Sequence, residues 1–479
     1  MFMKRSGVLM PIFSLPSPYG IGTVGRGAYE FADYIKKSGA EIWQVLPVGP
    51  TGYGNSPYQS FSSFAGNPYF IDPDMLCEDG ILERNDLPER VPEGESIDYG
   101  RIYFSRRRML RAAYDFSGER LKSETEEFLS LHPDVYDYAF FMSLKDRFGG
   151  KCYLDFPKCL VRRERAAMKR YEELLSDDIS YYIFEQYLFF SQWKRFKEYV
   201  NSLGIELLGD MPIYVAPDSA DVWANPRSFQ LDRDRRPKFV AGVPPDYFSE
   251  NGQKWGNPLY DWKRMKNRGY GFFIRRAKAA AELFDSVRLD HFIGFANYYS
   301  VEPQAPDAKN GFWRDGPGKS LFSTLEKEVP SLGVVAEDLG IVSDKVIKLL
   351  KSTGYPSMRV IQFAFDDNGT NMHLPKNVRK NTYYYTGTHD NPTTHSWWLL
   401  RSEEGRLRTA EYLGKKRIKA PETFIKAVLD SRAEVAVIPI WDILSLGDEG
   451  RVNTPGTSEG NWLPRLGKIP EEPAKLARK

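Results

Sequence analysis

The chain has 479 residues, enough for one elaborated domain or two to three smaller ones, and its 66 Lys and Arg nearly balance 64 Asp and Glu for a formal charge of +2. No global field therefore points to nucleic acid or an anionic membrane, and a strongly charged substrate is not expected. The first residues hold no long apolar core and no run of about eighteen apolar residues occurs anywhere, so the expectation is a soluble, cytoplasmic protein without signal peptide or membrane span.

Residues Gly7 to Ile12 read as an opening strand followed by a Pro/Gly loop. Apolar residues at 29, 31, 32 and 35 predict a helix over Gly25 to Ser38, stopped by Gly39, and Glu41 to Pro47 predicts the next strand. The segment Thr51 to Pro73 is rich in Gly, Ser, Asn and Tyr, as expected of a ligand-binding loop over a barrel mouth.

From residue 75 to 180 the composition shifts to charged helical stretches, which predicts an inserted helical subdomain between barrel portions 1–74 and 181–479. Arg106, Arg107 and Arg108 are expected to lie on a solvated helix face. A helix over Tyr181 to Leu203 leads through Gly204 into the strand Glu206 to Asp210, and residues 212–270 read as an irregular insertion that would form a lid beside the site.

Further strands are predicted to Asp290, over Leu332 to Glu337, Met358 to Phe365, Thr382 to Thr388 and Glu434 to Ile440, which makes eight. Valine and leucine alternate before Asp290, and Arg288 two residues earlier would share its face, able to hold the carboxylate ionised and aimed. Alone, that pattern also fits an ordinary buried ion pair. Its repetition argues otherwise: apolar runs ending on Asp210, Asp290, Glu337 and, through T-G-T-H-D, Asp390 share one polarity, and the C-terminal strand ends of a (β/α)₈ barrel open onto one pocket. The expected fold class is an α/β TIM barrel with inserted helical and loop subdomains. Only about forty residues follow the eighth strand, so no C-terminal β-sandwich is expected and the Pro-, Lys- and Glu-rich end reads as a tail.

Cys77, Cys152 and Cys159 lack C-x-x-C spacing, and His132, His291, His373, His389 and His395 show no zinc-ligand spacing, so neither metal nor cofactor is implied. Aromatic residues reach 14%, a surplus that suits either core filling or platforms for sugar rings. Two carboxyl groups facing each other across a pocket can cleave a glycosidic bond, one attacking the anomeric carbon and one protonating the departing oxygen, while a third grips hydroxyls. Asp290, Glu337 and Asp390 fit that set.

The Arg-x-Asp of strand four, the Glu of strand five and the His-Asp of strand seven resemble the α-amylase clan. Longer stretches resemble its 4-α-glucanotransferase branch, the amylomaltases or disproportionating enzymes: S-P-Y-Q-S-F-S-S-F-A-G-N-P-Y from Ser56, G-D-M-P-I-Y-V-A from Gly209, G-V-P-P-D-Y-F-S from Gly242, W-G-N-P from Trp255, R-L-D-H-F from Arg288, E-D-L-G from Glu337 and T-H-D-N from Thr388. The resemblance spans nearly the whole chain. It implies that Asp290 is the nucleophile, Glu337 the general acid/base and Asp390 the transition-state stabiliser, with Arg288 orienting Asp290. It also implies that His389 bonds the sugar beside the cleaved bond, that Asp210 matches the carboxylate ending strand three, and that Tyr58, Trp255 and Asn257 contact glucose units. Asp210 and His291 read equally well as structural partners in the barrel mouth.

The implied reaction is transfer of α-1,4-glucan segments among maltooligosaccharides, starch or glycogen-type glucans by a monomer or weak homodimer. An α-amylase-like hydrolase using the same carboxylates is the rival, and a noncatalytic glucan-binding barrel would need a lost carboxylate. The pattern departs from the family at Trp441-Asp442, where Gln-Asp is common, and at Asn461-Trp462-Leu463-Pro464-Arg465, where N-W-x-W-R is usual; both departures are expected to touch C-terminal packing alone.

Overall fold

A computed structural model describes residues 4–52, 54–245, 249–340, 342–366 and 369–478. Eight parallel strands close a barrel in chain order: β1 Arg5–Leu9, β2 Ile42–Gln44, β3 Glu206–Met211, β4 Ser286–Leu289, β5 Gly333–Ala336, β6 Ser357–Val360, β7 Thr382–Tyr385 and β8 Val435–Pro439, which returns to β1. Most strand residues are buried, since one face fills the barrel and the other packs on the surrounding helices. Helix Arg26–Ser38 stops where Gly39 turns left-handed at φ 76°, and its chain re-enters the barrel three residues later at β2.

Several predicted edges move. The run Met358 to Phe365 stays extended only to Val360, whose N–H is taken by the His373 ring, and then tightens into a 3₁₀ turn over Ile361–Phe363. Apolar sequence alone does not separate a buried strand from a buried turn. The boundary drawn between residues 180 and 181 falls inside one continuous helix, Ser176–Ser202, which packs on helix Asp134–Arg147 at its start and leads to β3 at its end.

The basic triplet is not a uniformly solvated face. Arg106 is buried beneath the Tyr19 ring, with its guanidinium carbon 5.6 Å from the ring centre, and burial pushes its pKa down to about 10. Arg107 and Arg108 are exposed as expected, and Arg107 pairs with Asp146.

The described residues between 212 and 270 are more regular than an irregular lid. They contain helix Ala220–Ala224 and strands Val240–Val243 and Gln253–Pro258, which join Asn297–Val301 and Phe312–Asp315 in a four-stranded antiparallel sheet beside the barrel. Two of those strands come from beyond β4, so the pairing has no local signature. After Pro439 no further strand occurs among the described residues, and no described helix is long and apolar enough to cross a membrane.

The C-terminal residues are not a loose tail. Arg465 donates to the carbonyls of Glu95, Ser17 and Pro92, and Arg478 to those of Leu429, Ser431 and Ala433, so the end of the chain straps across the barrel.

Candidate active site

The centre of the site is a guanidinium at the end of β4. The β3–β4 register sets Asp210 opposite Arg288, and Gly209 makes room behind them, since a Cβ there would meet the Phe284 ring at 2.2 Å. Arg288, 4% exposed, donates to Asp210 Oδ2 from Nε at 3.0 Å and from Nη2 at 2.7 Å. The same Nη2 reaches Asp290 Oδ1 at 2.8 Å and the Tyr58 hydroxyl at 3.1 Å. Burial pushes the Asp210 carboxyl up to about 6 despite these donors, and the Asp290 charge adds to the rise. One fixed cation thus serves two carboxylates.

The Tyr58 hydroxyl fixes a tautomer next door. It lies 2.8 Å from Asp210 Oδ2 and 2.9 Å from His389 Nε2 while accepting from Arg288. With its single proton given to the carboxylate, the hydroxyl must accept from both other neighbours, so His389 carries its proton on Nε2. The rings of Tyr58 and His389 stack at 5.2 Å, and burial lowers the His389 pKa, keeping it neutral.

Glu337 ends β5, with both oxygens held by backbone: Oε2 accepts from the His291 N–H at 2.7 Å and Oε1 from the Leu339 N–H at 2.8 Å. His291 has φ 49°, a left-handed conformation unusual for a residue with a side chain, and it bends the chain after Asp290 so that this N–H faces Glu337. Burial, then the charge of Asp290, raises the Glu337 pKa to about 8 against the opposing pull of Arg288 and the two N–H donors. The half-buried His291 ring, its pKa pushed down to about 4 by desolvation, stands edge-on to Trp255 at 4.9 Å. Next to Glu337, the fully buried Asp338 carboxylate takes the Met358 N–H and Arg359, which pins this turn to β6.

Asp390 approaches from β7. Its side chain is 45% exposed, with Oδ1 2.6 Å from the Asn453 amide and 3.4 Å from His389 Nε2. Strand Gln253–Pro258 brings Trp255 to the rim, whereas Asn257 is buried and donates to the Val215 carbonyl at 2.8 Å. Of the Gly242 to Ser249 stretch, Asp246, Tyr247 and Phe248 lie outside the described residues, as does Tyr53 of the earlier loop. No cluster of three or more His, Cys, Asp or Glu able to hold a metal ion occurs among the described residues.

A barrel mouth with a buried, proton-retaining carboxyl beside an arginine-held carboxylate suits acid-assisted glycosyl chemistry. The sequence profile of the 4-alpha-glucanotransferase family matches residues 10–469. The chain belongs to that family. It is 42% identical to the 4-alpha-glucanotransferase of Thermus thermophilus, over 99% of this chain and 97% of that one. It is 44% identical to that of Aquifex aeolicus, over 97% and 96%. Its fold superposes with a TM-score of 0.93 on the amylomaltase of Streptococcus agalactiae solved in complex with acarbose, 37% identical over 97% of this chain and 95% of that one. The protein is a 4-α-glucanotransferase acting on α-glucans, and the hydrolase alternative is not favoured.

Two residues of this glucanotransferase site escape the sequence pattern. Asn453 holds Asp390, and Trp462 stands 6.0 Å from the Tyr58 ring and 6.1 Å from the His389 ring. The tail departure near Asn461 therefore reaches the site as well as C-terminal packing. A tryptophan within an otherwise Pro-, Lys- and Glu-rich end is the one local signal that could have pointed there.

Proposed function

We propose that Asp290 is the nucleophile, Glu337 the general acid and then base, and Asp390 the group that grips ring hydroxyls as the transition state forms. The observation that carries this reading is the contrast between neighbours: burial and the Asp290 charge push the Glu337 pKa up to about 8, while Asp290 accepts a hydrogen bond from the Arg288 guanidinium. Arg288 engages Oδ1 of Asp290, and among the described residues no donor engages Oδ2, the oxygen free to attack.

In the first displacement Asp290 bonds the anomeric carbon, and Glu337 gives its proton to the departing glycosidic oxygen. In the second, Glu337 takes the proton of an acceptor's 4-hydroxyl, and that oxygen displaces Asp290. The two inversions retain the α configuration. Tyr58, His389 and Trp255 line the path of the sugar, with Asp210 and His291 supporting Arg288 and Glu337. Asn257, tied to Val215, places the Trp255 strand.

The reading extends to maltooligosaccharides and starch- or glycogen-type glucans as donors and acceptors, and to a cytoplasmic monomer or weak homodimer. Residues 1–74 and 181–479 would form the catalytic barrel, 75–180 a helical insertion and 212–270 the active-site insertion. The three cysteines, all unpaired, suit a reducing compartment.

Maltotriose alone tests the transfer step. Glucose plus a ladder of longer oligosaccharides is expected, with total reducing ends nearly constant because each transfer consumes one end and frees another. A steady rise in reducing ends without longer products would sink the reading.

A further inference from the structure

Three stretches that carry sugar-facing candidates meet on one buried side chain outside the catalytic set. Arg276, on helix Gly271–Leu283, is 3% exposed. Its Nε donates to Ser63 Oγ at 3.0 Å, Nη1 to the Ile213 carbonyl at 3.0 Å and the Tyr260 hydroxyl at 2.6 Å, and Nη2 to the Pro212 carbonyl at 2.6 Å. Ser63 belongs to the loop that presents Tyr58, Pro212 follows the β3 end that presents Asp210, and Tyr260 lies two residues beyond the strand that presents Trp255.

Ser63 is a relay. Its hydroxyl accepts from Arg276 and donates to Asp221 Oδ2 at 2.7 Å, and its N–H donates to the same oxygen at 2.9 Å. Asp221 is itself buried, so cation, hydroxyl and anion form a neutral chain beneath the loops. Cross-ties reinforce it: the Tyr260 hydroxyl bonds the Ile213 carbonyl, and the Ala220 N–H bonds the Phe61 carbonyl. A cavity of about 80 Å³ runs from this cluster to Tyr58 and Asp210.

We propose that Arg276 is a positioning residue that sets how the glycosyl-enzyme divides between a sugar hydroxyl and water. The proposal rests on the transfer reading above. The Asp290 and Glu337 side chains take their bonds from Arg288, His291 and Leu339, and Arg276 bonds none of these three; its link to them is indirect, through the Tyr58 loop and through Pro212 beside Met211, whose carbonyl takes the Asp290 N–H, so the acid and the nucleophile lose less than the acceptor does. The acceptor has no such independent support. Its hydroxyl must be held against the anomeric carbon by the walls that Arg276 ties together, and a shift of about 1 Å can cost ~10²-fold in a positioned reaction, whereas a small water can reach the carbon without those walls. A lysine replaces the arginine only in part, because a single ammonium offers at most three donors from one point where the fork supplies them from three nitrogens.

The test follows maltotriose products with R276Q, R276K and S63A full-length enzymes, together with thermal melts and pH profiles. In R276Q the ratio of hydrolysis to transfer rises at least about tenfold and the acceptor KM rises, while the alkaline limb of kcat stays where wild type has it. R276K falls between. S63A, which removes one hydroxyl and keeps the fork, raises the ratio about threefold and decides the matter should R276Q fail to fold. The ratio is read per turnover, so loss of folded enzyme does not move it. Folded variants with a ratio within twofold of wild type overturn the proposal alone; a wild type that makes no longer products overturns the transfer reading and the proposal with it.

Discussion

The two walls of the site use one residue type in opposite surroundings. On the β3–β5 wall the Asp210 side chain is 0% exposed and Asp290 29%, both locked to Arg288. On the β7 wall Asp390 is 45% exposed and leans on one amide from the chain end. Burial raises the electrostatic stakes of every group on the first wall: charges there must be paired, and the unpaired carboxyl, Glu337, keeps a proton. Asp390, 45% exposed, is open to solvent, where exchanging water for a hydroxyl partner costs little. On the roles proposed above, the buried wall would make the bond and the open one would grip.

The largest effects should come from the buried wall. D290N and E337Q are each expected to lower kcat by more than ~10³-fold, since on the proposed roles each removes a group that would form a bond or move a proton. Single-turnover measurement on maltotriose checks this, and either variant retaining ~10% of kcat would break the contrast.

Arg288 comes next. R288M leaves the fully buried Asp210 without its cation and frees Asp290, so a loss of ~10²-fold or more in kcat/KM should accompany destabilisation of about 3–5 kcal/mol. D390N on the open wall should also impair turnover, yet leave denaturant stability within about 0.5 kcal/mol. Equal stability losses in the two variants would erase the distinction between the walls.

Glu337 gives the contrast a pH signature. With a folded pKa near 8 against an ordinary 4.5, the native state holds a proton that the unfolded chain releases between those values. Its contribution to stability is whole below about pH 4.5, declines as pH rises and is gone above about 8. Relative to E337Q, the wild type should therefore lose roughly a few kcal/mol of stability across that window. The alkaline limb of kcat/KM should fall about tenfold per pH unit above 8. A stability difference between the two proteins that stays flat from pH 5 to 9 would show that burial does not hold this proton.

The buried wall is also the part that sequence discloses. Strand-end carboxylates after apolar runs are local patterns, and Arg288 two residues before Asp290 shares its face by strand periodicity alone. The open wall draws on distant chain. Asn453 and Trp462 lie in a polar stretch with no periodicity, and their roles arise only once the chain end has folded back over the barrel mouth. The side sheet was hidden for the same reason, its four strands being short and their partners separated by β4. Arg106 failed differently: a helix pattern marks which residues share a face, but the surface that covers that face, here the Tyr19 ring, comes from elsewhere.

The smallest expected effect tests the open wall at its tether. Asn453 donates to Asp390 Oδ1 at 2.6 Å, and the carboxylate it orients faces solvent. In N453A water can take the place of the lost amide, so the cost is the difference between a fixed and a mobile donor, about 1 kcal/mol or less, and kcat/KM should drop by no more than about fivefold. N453D goes further because it sets a second negative charge against Asp390; it should lower kcat/KM more than N453A does, and added salt should recover part of the difference, as screening does for exposed pairs. Thermal stability should barely change in either. A loss in N453A comparable to that in R288M would mean that Asp390 is held as rigidly as Asp290, and that its exposure conceals a positional demand equal to that of the buried wall.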